Sequence, residues 1–387
     1  MRSAGMRGSG RPDVRARDWF SRFDARRERL AEDLEAAVSQ ESPSEDAERV
    51  TSLARWVRDR LRERGVAAET HPCAGRGDAV SARVGGGGGI LILGHLDTVW
   101  ACGTLRDFPY RIDGDRASGP GVFDMKAGIV VAMAALAGLA EEGSGKATLL
   151  LVPDEEVGSA ASRARTVELA LRHRSVFVLE PSLDGAAKVA RKGHGVFRLR
   201  FRGRAAHAGL EPERGASALS ELARCVMFLE SLADPSSETT VAPTVARSGE
   251  KINVIPEHGE LSADVRVWSA AEASRVEEAI RGYRPADARV EVEVDGGVDR
   301  PPLEPTPASL ALYERARGLA EELGFALGAA HVGGASDGNL TAAAGIPTLD
   351  GLGPRGGHAH AREEFVSLSD LPRRAALLAA LVDADAP

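Results

Sequence analysis

Cysteine, lysine and long apolar runs are what this chain has least of. Its 387 residues hold three cysteines, Cys73, Cys102 and Cys225, which lie far apart with no Cys-x-x-Cys spacing. That excludes a disulfide framework and a thiolate metal knuckle, and fits a reducing, cytoplasmic setting. No segment reads as long and apolar enough to span a bilayer. The first 17 residues carry five arginines with glycine and serine and no apolar stretch, so they read as a disordered tail rather than a secretory signal. The formal charge of −8 and a pI near 5.7 argue against nucleic acid as a partner, which would require a basic patch or stripe. Arginine so outnumbers lysine that a single arginine carries little evidence.

A chain of 387 residues exceeds the roughly 250–300 at which one hydrophobic core stops growing, so two domains are expected. Residues 18–64 have helical periodicity. Ser44, Glu48 and the spacing Val50, Leu53, Val57, Leu61 predict an amphipathic helix. The run Gly85–Gly89 precedes Ile90-Leu-Ile-Leu rather than following a strand, which makes it a hairpin or flexible turn and not a phosphate cradle. Strand candidates at 148–152, 176–179 and 347–349 alternate with helical stretches at 127–141 and 163–172. This alternation predicts an α/β sheet covered on both faces, with ligands gathered at the carboxyl ends of its strands.

Between 188 and 296 the order becomes β-α-β-β-α-β: strands at 196–201, 239–246, 260–267 and 289–294, helices at 216–232 and 271–283. That is the ferredoxin-like split motif, expected as a separate domain interrupting the larger one. The expected division is a tail (1–17), a catalytic domain in two parts (18–187 and 297–387) and the inserted domain (188–296), with 296–302 as the return linker.

The residues that carry chemistry follow short apolar runs, where a buried strand would end. His95 and Asp97 are two apart, so on an extended backbone they share a face, and one strand end can offer an imidazole with a carboxylate to orient it. Asp124 starts an apolar helical run. It is a helix cap in the bland reading, and in the sharper one an acceptor with two oxygens able to bridge two ions. Glu155 and Glu156 follow a strand and are either a solvated helix start or an acid pair divided between an ion and the water it activates. Glu180 ends an apolar run before Pro181. His358 and His360 compete for one further position. Two imidazoles and several carboxylates suit a pair of zinc-like ions.

Five segments in order, Gly94-His-Leu-Asp-Thr-Val, Gly121-Val-Phe-Asp-Met-Lys-Ala-Gly, Pro153-Asp-Glu-Glu-Val-Gly-Ser, Leu179-Glu-Pro and His360-Ala-Arg-Glu-Glu-Phe, resemble the dinuclear zinc metallopeptidases. That family includes acetylornithine deacetylase, succinyl-diaminopimelate desuccinylase and glutamate carboxypeptidase, and the bacterial glutamate carboxypeptidases are the nearest in kind. The resemblance runs from about residue 40 to the C-terminus. It implies one zinc held by His95, Asp124 and Glu180, a second held by Asp124, Glu156 and His360, and Asp124 as the bridge. Co2+ or Mn2+ are the other metals such a site takes. By the same resemblance Asp97 orients His95 and Glu155 is the general base.

In the inserted domain Gly203-Arg-Ala-Ala-His-Ala-Gly, Asn253-Val-Ile-Pro and Asp264-Val-Arg resemble the family's substrate-contacting segments. The implied roles are His207 on the scissile carbonyl oxygen, often from a partner subunit, with Asn253 on the substrate and Arg266 on its carboxylate. Gly333-Gly-Ala-Ser-Asp-Gly-Asn resembles the glycine-rich loop beside the site, with Ser336 where glutamate carboxypeptidases more often carry threonine. His71, His173, His194, His258 and His331 read as loop or surface residues and Cys102 as a small buried thiol.

The implied activity is metal-dependent hydrolysis of an amide joining an acyl group, or a short peptide, to an amino acid with a free carboxylate. An N-acyl-amino-acid deacylase or aminoacylase is the second reading, and a non-catalytic metal-binding protein the remote one. The implied assembly is a homodimer through the inserted domain, with no nucleic-acid or membrane partner.

Overall fold

The computed structural model describes residues 16–86 and 89–384. Three helices open it: α1 (Ala16–Asp24), α2 (Arg27–Val38) and α3 (Ala47–Glu63). Residues 1–15 of the expected tail lie outside the described residues, while Ala16 and Arg17 already belong to α1. The predicted amphipathic helix is α3, which turns Val50, Leu53, Val57 and Leu61 into the core. Its cap is Asp46, which accepts from the Arg49 amide at 3.2 Å. Ser44 is used elsewhere.

The main sheet is built from β1 (Ala67–His71), β2 (Ala79–Val84), β3 (Ile90–His95), β4 (Ala147–Val152) and β5 (Ser175–Val178), with the short strand Thr348–Leu349 at its edge. The spatial order is β1-β2-β4-β3-β5 and then 348–349. The pairs from β4 to the edge are parallel, and β1-β2 and β2-β4 are antiparallel. Every residue of β3, β4 and β5 is buried, as continuous apolar runs must be when helices cover both faces of a parallel sheet. Ile90 and Ile92 face one layer and Leu91 and Leu93 the other. The first layer contains α1 to α3, α4 (Ala127–Glu142) and the C-terminal helix Asp370–Asp383, and the second includes α5 (Arg163–Ala170).

Four expectations are corrected here. β2 and β3 are not hairpin partners, because β4 lies between them. Their connection crosses the start of β4 so closely that a Cβ on Gly85 would sit 2.3 Å from the Gly145 carbonyl oxygen, and one on Gly89 2.0 Å from that of Lys146. Gly87 and Gly88 lie outside the described residues. One segment, Val122–Glu142, does meet the length and apolarity of a membrane span, but 94% of its window is buried inside the protein. Its helical part, α4, is buried on every side from Ala127 to Leu139 and is the central helix of the core. Cys102 is exposed rather than buried, whereas Cys73 and Cys225 are buried. His173 is buried between the Leu169 carbonyl and the Thr148 hydroxyl rather than on the surface.

The insertion is a four-stranded antiparallel sheet of β6 (Gly193–Arg202), β7 (Thr240–Ser248), β8 (His258–Val267) and β9 (Glu291–Arg300), in the order β7-β8-β6-β9. Alternate residues Phe197, Leu199 and Phe201 of β6, and Leu261, Ala263, Val265 and Val267 of β8, pack against the helices Ala218–Ser231 and Ala270–Arg281 in a core of their own. The chain leaves and returns through a narrow neck, where Arg191 and Leu303 exchange backbone hydrogen bonds at 3.1 Å. β9 runs on to Arg300, so the stretch expected to be linker is largely strand.

Close approach at Gly128 seats α4 against the end of β5. A Cβ there would meet the Leu179 carbonyl oxygen at 2.4 Å and the Met125 methyl at 2.8 Å. Gly128→Ala should therefore lower stability by about 1–3 kcal/mol, the usual cost of overpacking, in chemical denaturation. An unchanged midpoint would contradict this packing.

Candidate metal centre

The central parallel strands deliver their last residues to one crevice. His95 is the last residue of β3 and stands beside Val152 of β4, Glu155 and Glu156 form a tight turn just beyond β4, and Glu180 follows β5. Asp124 comes from the irregular turn Val122–Lys126 that leads into α4 (φ −112°, ψ 95°), and the Asp124–Met125 peptide is cis. It is not a helix cap. His360 is at the tip of a short hairpin between Gly356–Gly357 and Phe365–Ser367, with φ +64°.

His95 Nε2 lies 3.2 Å from Asp124 Oδ1 and 3.5 Å from Glu180 Oε1. His360 Nε2 lies 3.3 Å from Asp124 Oδ2 and 3.3 Å from Glu156 Oε1. Each Asp124 oxygen thus faces a different imidazole, the arrangement of a bridging carboxylate. Bonds of about 2.0–2.1 Å around a tetrahedral ion set its ligands about 3.3–3.4 Å apart, and the observed spacings fall around that value. A second observation points the same way: apart from the 3.3 Å approach of His360, buried Glu156 Oε1 has no partner of hydrogen-bond geometry. His95, Asp124 and Glu156 offer donor atoms within 4.8 Å of one another, as do His95, Glu155 and Glu180. The residues fit divalent ions. His358 faces the Phe365 ring instead, at 6.1 Å.

The tautomer of His95 follows from its other nitrogen. Nδ1 lies 2.9 Å from the Asp97 backbone carbonyl, which can only accept, so Nδ1 carries a proton and Nε2 is the nitrogen turned to the crevice. Asp97 therefore orients the ring chiefly through its main chain, its carboxylate being 3.5 Å away. That carboxylate instead accepts from the Glu155 and Glu156 amides, both at 3.1 Å, and from the Ser44 hydroxyl at 2.7 Å. One aspartate sets both the imidazole and the acidic turn.

Without ions the cluster shares protons. Burial disfavours a charged His95, but hydrogen bonds to Asp124, Asp97 and Glu180 outweigh it and hold its pKa well above the usual range. Hydrogen bonds to Asp124 and then Glu156 push His360 up to about 10. Asp124 is raised by burial but lowered more by His360 and His95, and stays ionised far into acid. Burial pushes the Glu155 and Glu156 carboxyls up, opposed by Arg300 and His360 respectively.

Several contacts here escaped the sequence reading. Arg300, at the end of β9, forms an ion pair with Glu155 Oε1 at 3.1 Å and donates to the Glu155 carbonyl at 2.8 Å and to Asp337 at 2.9 Å. Ser159 bonds both Asp337 and Arg300. Arg191 grips Asp350 through two bonds of 2.7 and 3.0 Å and reaches Glu180 Oε2 at 3.4 Å. Ser336 in the glycine-rich loop caps the following helix and donates to Asp350 at 2.5 Å. In a chain so rich in arginine, burial was the missing signal: Arg191 and Arg300 are 3% and 5% exposed.

The three residues expected from the insertion are not in hydrogen-bond or ion-pair contact with this cluster among the described residues. His207 is exposed and its Nδ1 accepts from the Gly209 and Leu210 amides. The carbonyl of Asn253 accepts from the Ala208 amide, so these two lie together. Arg266 holds Asp264 through two bonds of 3.0 and 3.2 Å, and Asp264 also faces His194 at 3.0 Å.

A sheet with acidic and imidazole ligands at its strand ends, interrupted by a smaller α/β unit, defines a metal-dependent hydrolase of the two-domain peptidase type. The profile of peptidase family M20/M25/M40 matches residues 91–384, and the chain belongs to that family. It is 32% identical over 365 residues to carboxypeptidase G2 of Pseudomonas sp. (strain RS-16), covering 90% of this chain and 87% of that protein. It is 31% identical to N-acetyl-L-citrulline deacetylase of Xanthomonas campestris, covering 72% and 77%. Among solved structures, the aminopeptidase PepT from Bacillus cereus superposes with a TM-score of 0.77 at 22% identity, over 93% of this chain and 98% of that one. The YXEP protein of Bacillus subtilis, a dinuclear metal binding peptidase of this family, superposes at 0.66 and 16% identity, over 93% and 98%. These two show the shared fold.

Two tests follow for the ligand set. His360→Ala should halve the metal content measured by elemental analysis, while His358→Ala leaves it unchanged; the reverse would reassign the ligand. Because His95 and His360 retain protons more firmly than free imidazoles and must release them to bind an ion, acidification should strip the metal. Full occupancy at a pH near 4 would contradict that competition.

Proposed function

We propose that this protein is a two-ion amidohydrolase, best fitted to zinc, that cleaves the amide linking an acyl or peptidyl group to an amino acid with a free carboxylate. The observation that carries this reading is Glu155. Its carboxylate approaches the ligand atoms of His95 and Glu180 within 4.8 Å, yet it is held apart from them by Arg300 at 3.1 Å. A site that only stored metal would have no need of it.

When bound, the two ions would polarise the scissile carbonyl and make the attacking water more acidic. His95, Asp124 and Glu180 would hold one, and Asp124, Glu156 and His360 the other. Glu155 takes the proton from the attacking water and returns it to the leaving amine. Its raised proton affinity, caused by burial, brings a carboxylate closer to neutral pH, where a base works best. Asp97 fixes the turn that aims Glu155, and Arg300 fixes its carboxylate.

His207 and Asn253, carried on the insertion, hold the carbonyl oxygen and the substrate body, and Arg266 meets the free carboxylate. The insertion acts as lid and as the contact between two copies, with His207 serving the partner's site. The unit taking this role lies between Arg191 and Leu303, where the expected bounds were 188–296, and a cytoplasmic setting goes with the proposal. The 32% identity to carboxypeptidase G2 favours release of a C-terminal amino acid, and the resemblance to glutamate carboxypeptidases favours glutamate or a similar acid in that place. The second reading, an N-acyl-amino-acid deacylase, draws support from the 31% identity to N-acetyl-L-citrulline deacetylase.

A panel of C-terminal glutamyl amides and N-acetyl amino acids, assayed with the metal-loaded protein, separates these readings. Glu155→Gln should keep its metal and lose about 10²–10⁴-fold in kcat. Full activity in that variant would remove Glu155 as the base, and no turnover of any amide would leave only metal storage. The acid limb of kcat/KM should lie above the ordinary carboxylate range near 4.3, since the base must be ionised and its pKa is raised. Light scattering showing monomers alone would exclude the trans role of His207.

A further inference from the structure

The ligands of the centre come from segments remote in sequence, and a single buried carboxylate that touches none of the metal-facing atoms ties three of those segments together. Glu364 is fully buried. Its Oε1 accepts from the Phe123 and Asp124 amides at 2.9 and 3.0 Å. Its Oε2 accepts from the Gly121 amide at 3.0 Å and from Trp100 Nε1 at 2.8 Å. Asp124 is the shared ligand, Trp100 closes the loop that begins at His95 and Asp97, and Glu364 stands four residues after His360 at the base of the same hairpin.

The backbone around it is constrained accordingly. Phe365 pairs with Ser118 and with Gly357, and Arg116 stacks over the Phe365 ring at 3.5 Å while donating to the Glu363 carbonyl at 3.2 Å. The turn Gly121–Asp124 satisfies three amides through one side chain, because it is neither helix nor strand and has no ladder partner for them. A buried amide without a partner is costly, so these three donors fix where Glu364 can sit.

We infer that Glu364 is a positioning residue that sets the distance between the two halves of the metal centre, by holding the Asp124 turn against the hairpin that carries His360. It never meets an ion or substrate. Its effect passes through the main chain at Asp124 to the bridging carboxylate. This inference rests on the reading of His95, Asp124, Glu156, Glu180 and His360 as ligands, but not on any particular substrate.

In Glu364→Gln one oxygen becomes an NH2 group facing two N–H donors, so the turn must move away. Cobalt(II) titration of metal-free protein, read by calorimetry and by the visible spectrum of the bound ion, should show a 10- to 100-fold weaker affinity and an altered spectrum. Glu221→Gln is the control. Glu221 is an equally buried carboxylate accepting two backbone amides, of Ala286 and Asp287, inside the insertion. It should lose stability and keep cobalt affinity. If Glu364→Gln does not fold, Trp100→Phe removes one of the four donors without touching the charge, and should weaken cobalt binding by a smaller factor.

Wild-type affinity and spectrum in the variant that folds would overturn the inference. A wild-type protein that binds no cobalt would instead sink the ligand assignment beneath it. Failure to hydrolyse the amide panel, with cobalt affinity still dependent on Glu364, would refute only the proposed activity.

Discussion

The structure turns on one carboxylate shared between two imidazoles. Asp124 presents one oxygen to His95 and the other to His360, and the rest of the crevice is arranged so that this carboxylate stays ionised while buried. An isolated charge in that position would cost several kcal/mol. Two positive partners remove the penalty whether they are protonated histidines or ions. The same geometry would serve protonated histidines or ions, since the side chains proposed as ligands stand near the spacing an ion requires.

Around Asp124 the charges are layered. Asp97, Asp350 and Asp337 lie behind the inner carboxylates and are bonded to groups that touch them: backbone amides for Asp97, Arg191 for Asp350 and Arg300 for Asp337. Each buried guanidinium is thereby neutralised by a carboxylate behind it and one in front. Removing one partner of such a set is far more damaging than its net contribution suggests, because the remaining charge stays buried and unpaired. Glu155 and Glu180 are thus aimed by the protein before any ion or substrate arrives, which is the condition for a preorganised site.

Much of this was legible in the residues. The apolar runs of β3 to β5 declared buried parallel strands, and the acidic and imidazole residues just past them declared where the crevice opens. The β-α-β-β-α-β order of the insertion could be read from the change in periodicity near residue 190. The order of strands could not, because β4 enters between β2 and β3 and nothing local marks such a crossover. The choice between His358 and His360 rested on a resemblance; His360 Nε2 lies 3.3 Å from both Asp124 and Glu156, whereas His358 faces Phe365. What Arg191, Arg300, Ser44 and Glu364 do was invisible for a common reason. Their roles depend on partners between 11 and 264 residues away, and residue types common on any surface acquire meaning only through burial. The membrane-length apolarity of Val122–Glu142 was likewise a property of a core helix, apparent once its surroundings were known.

The narrow neck at Arg191 and Leu303 has a mechanical consequence. Both crossings into the insertion end on a guanidinium: Arg191 just before β6 reaches Glu180, and Arg300 at the end of β9 reaches Glu155. A rigid rotation of that unit has no slack strand in which to dissipate before it meets these two side chains. The two crossings and the inner acids are mechanically continuous, so a displacement of the insertion would be felt at Glu155, the acid proposed for proton transfer, without any separate relay.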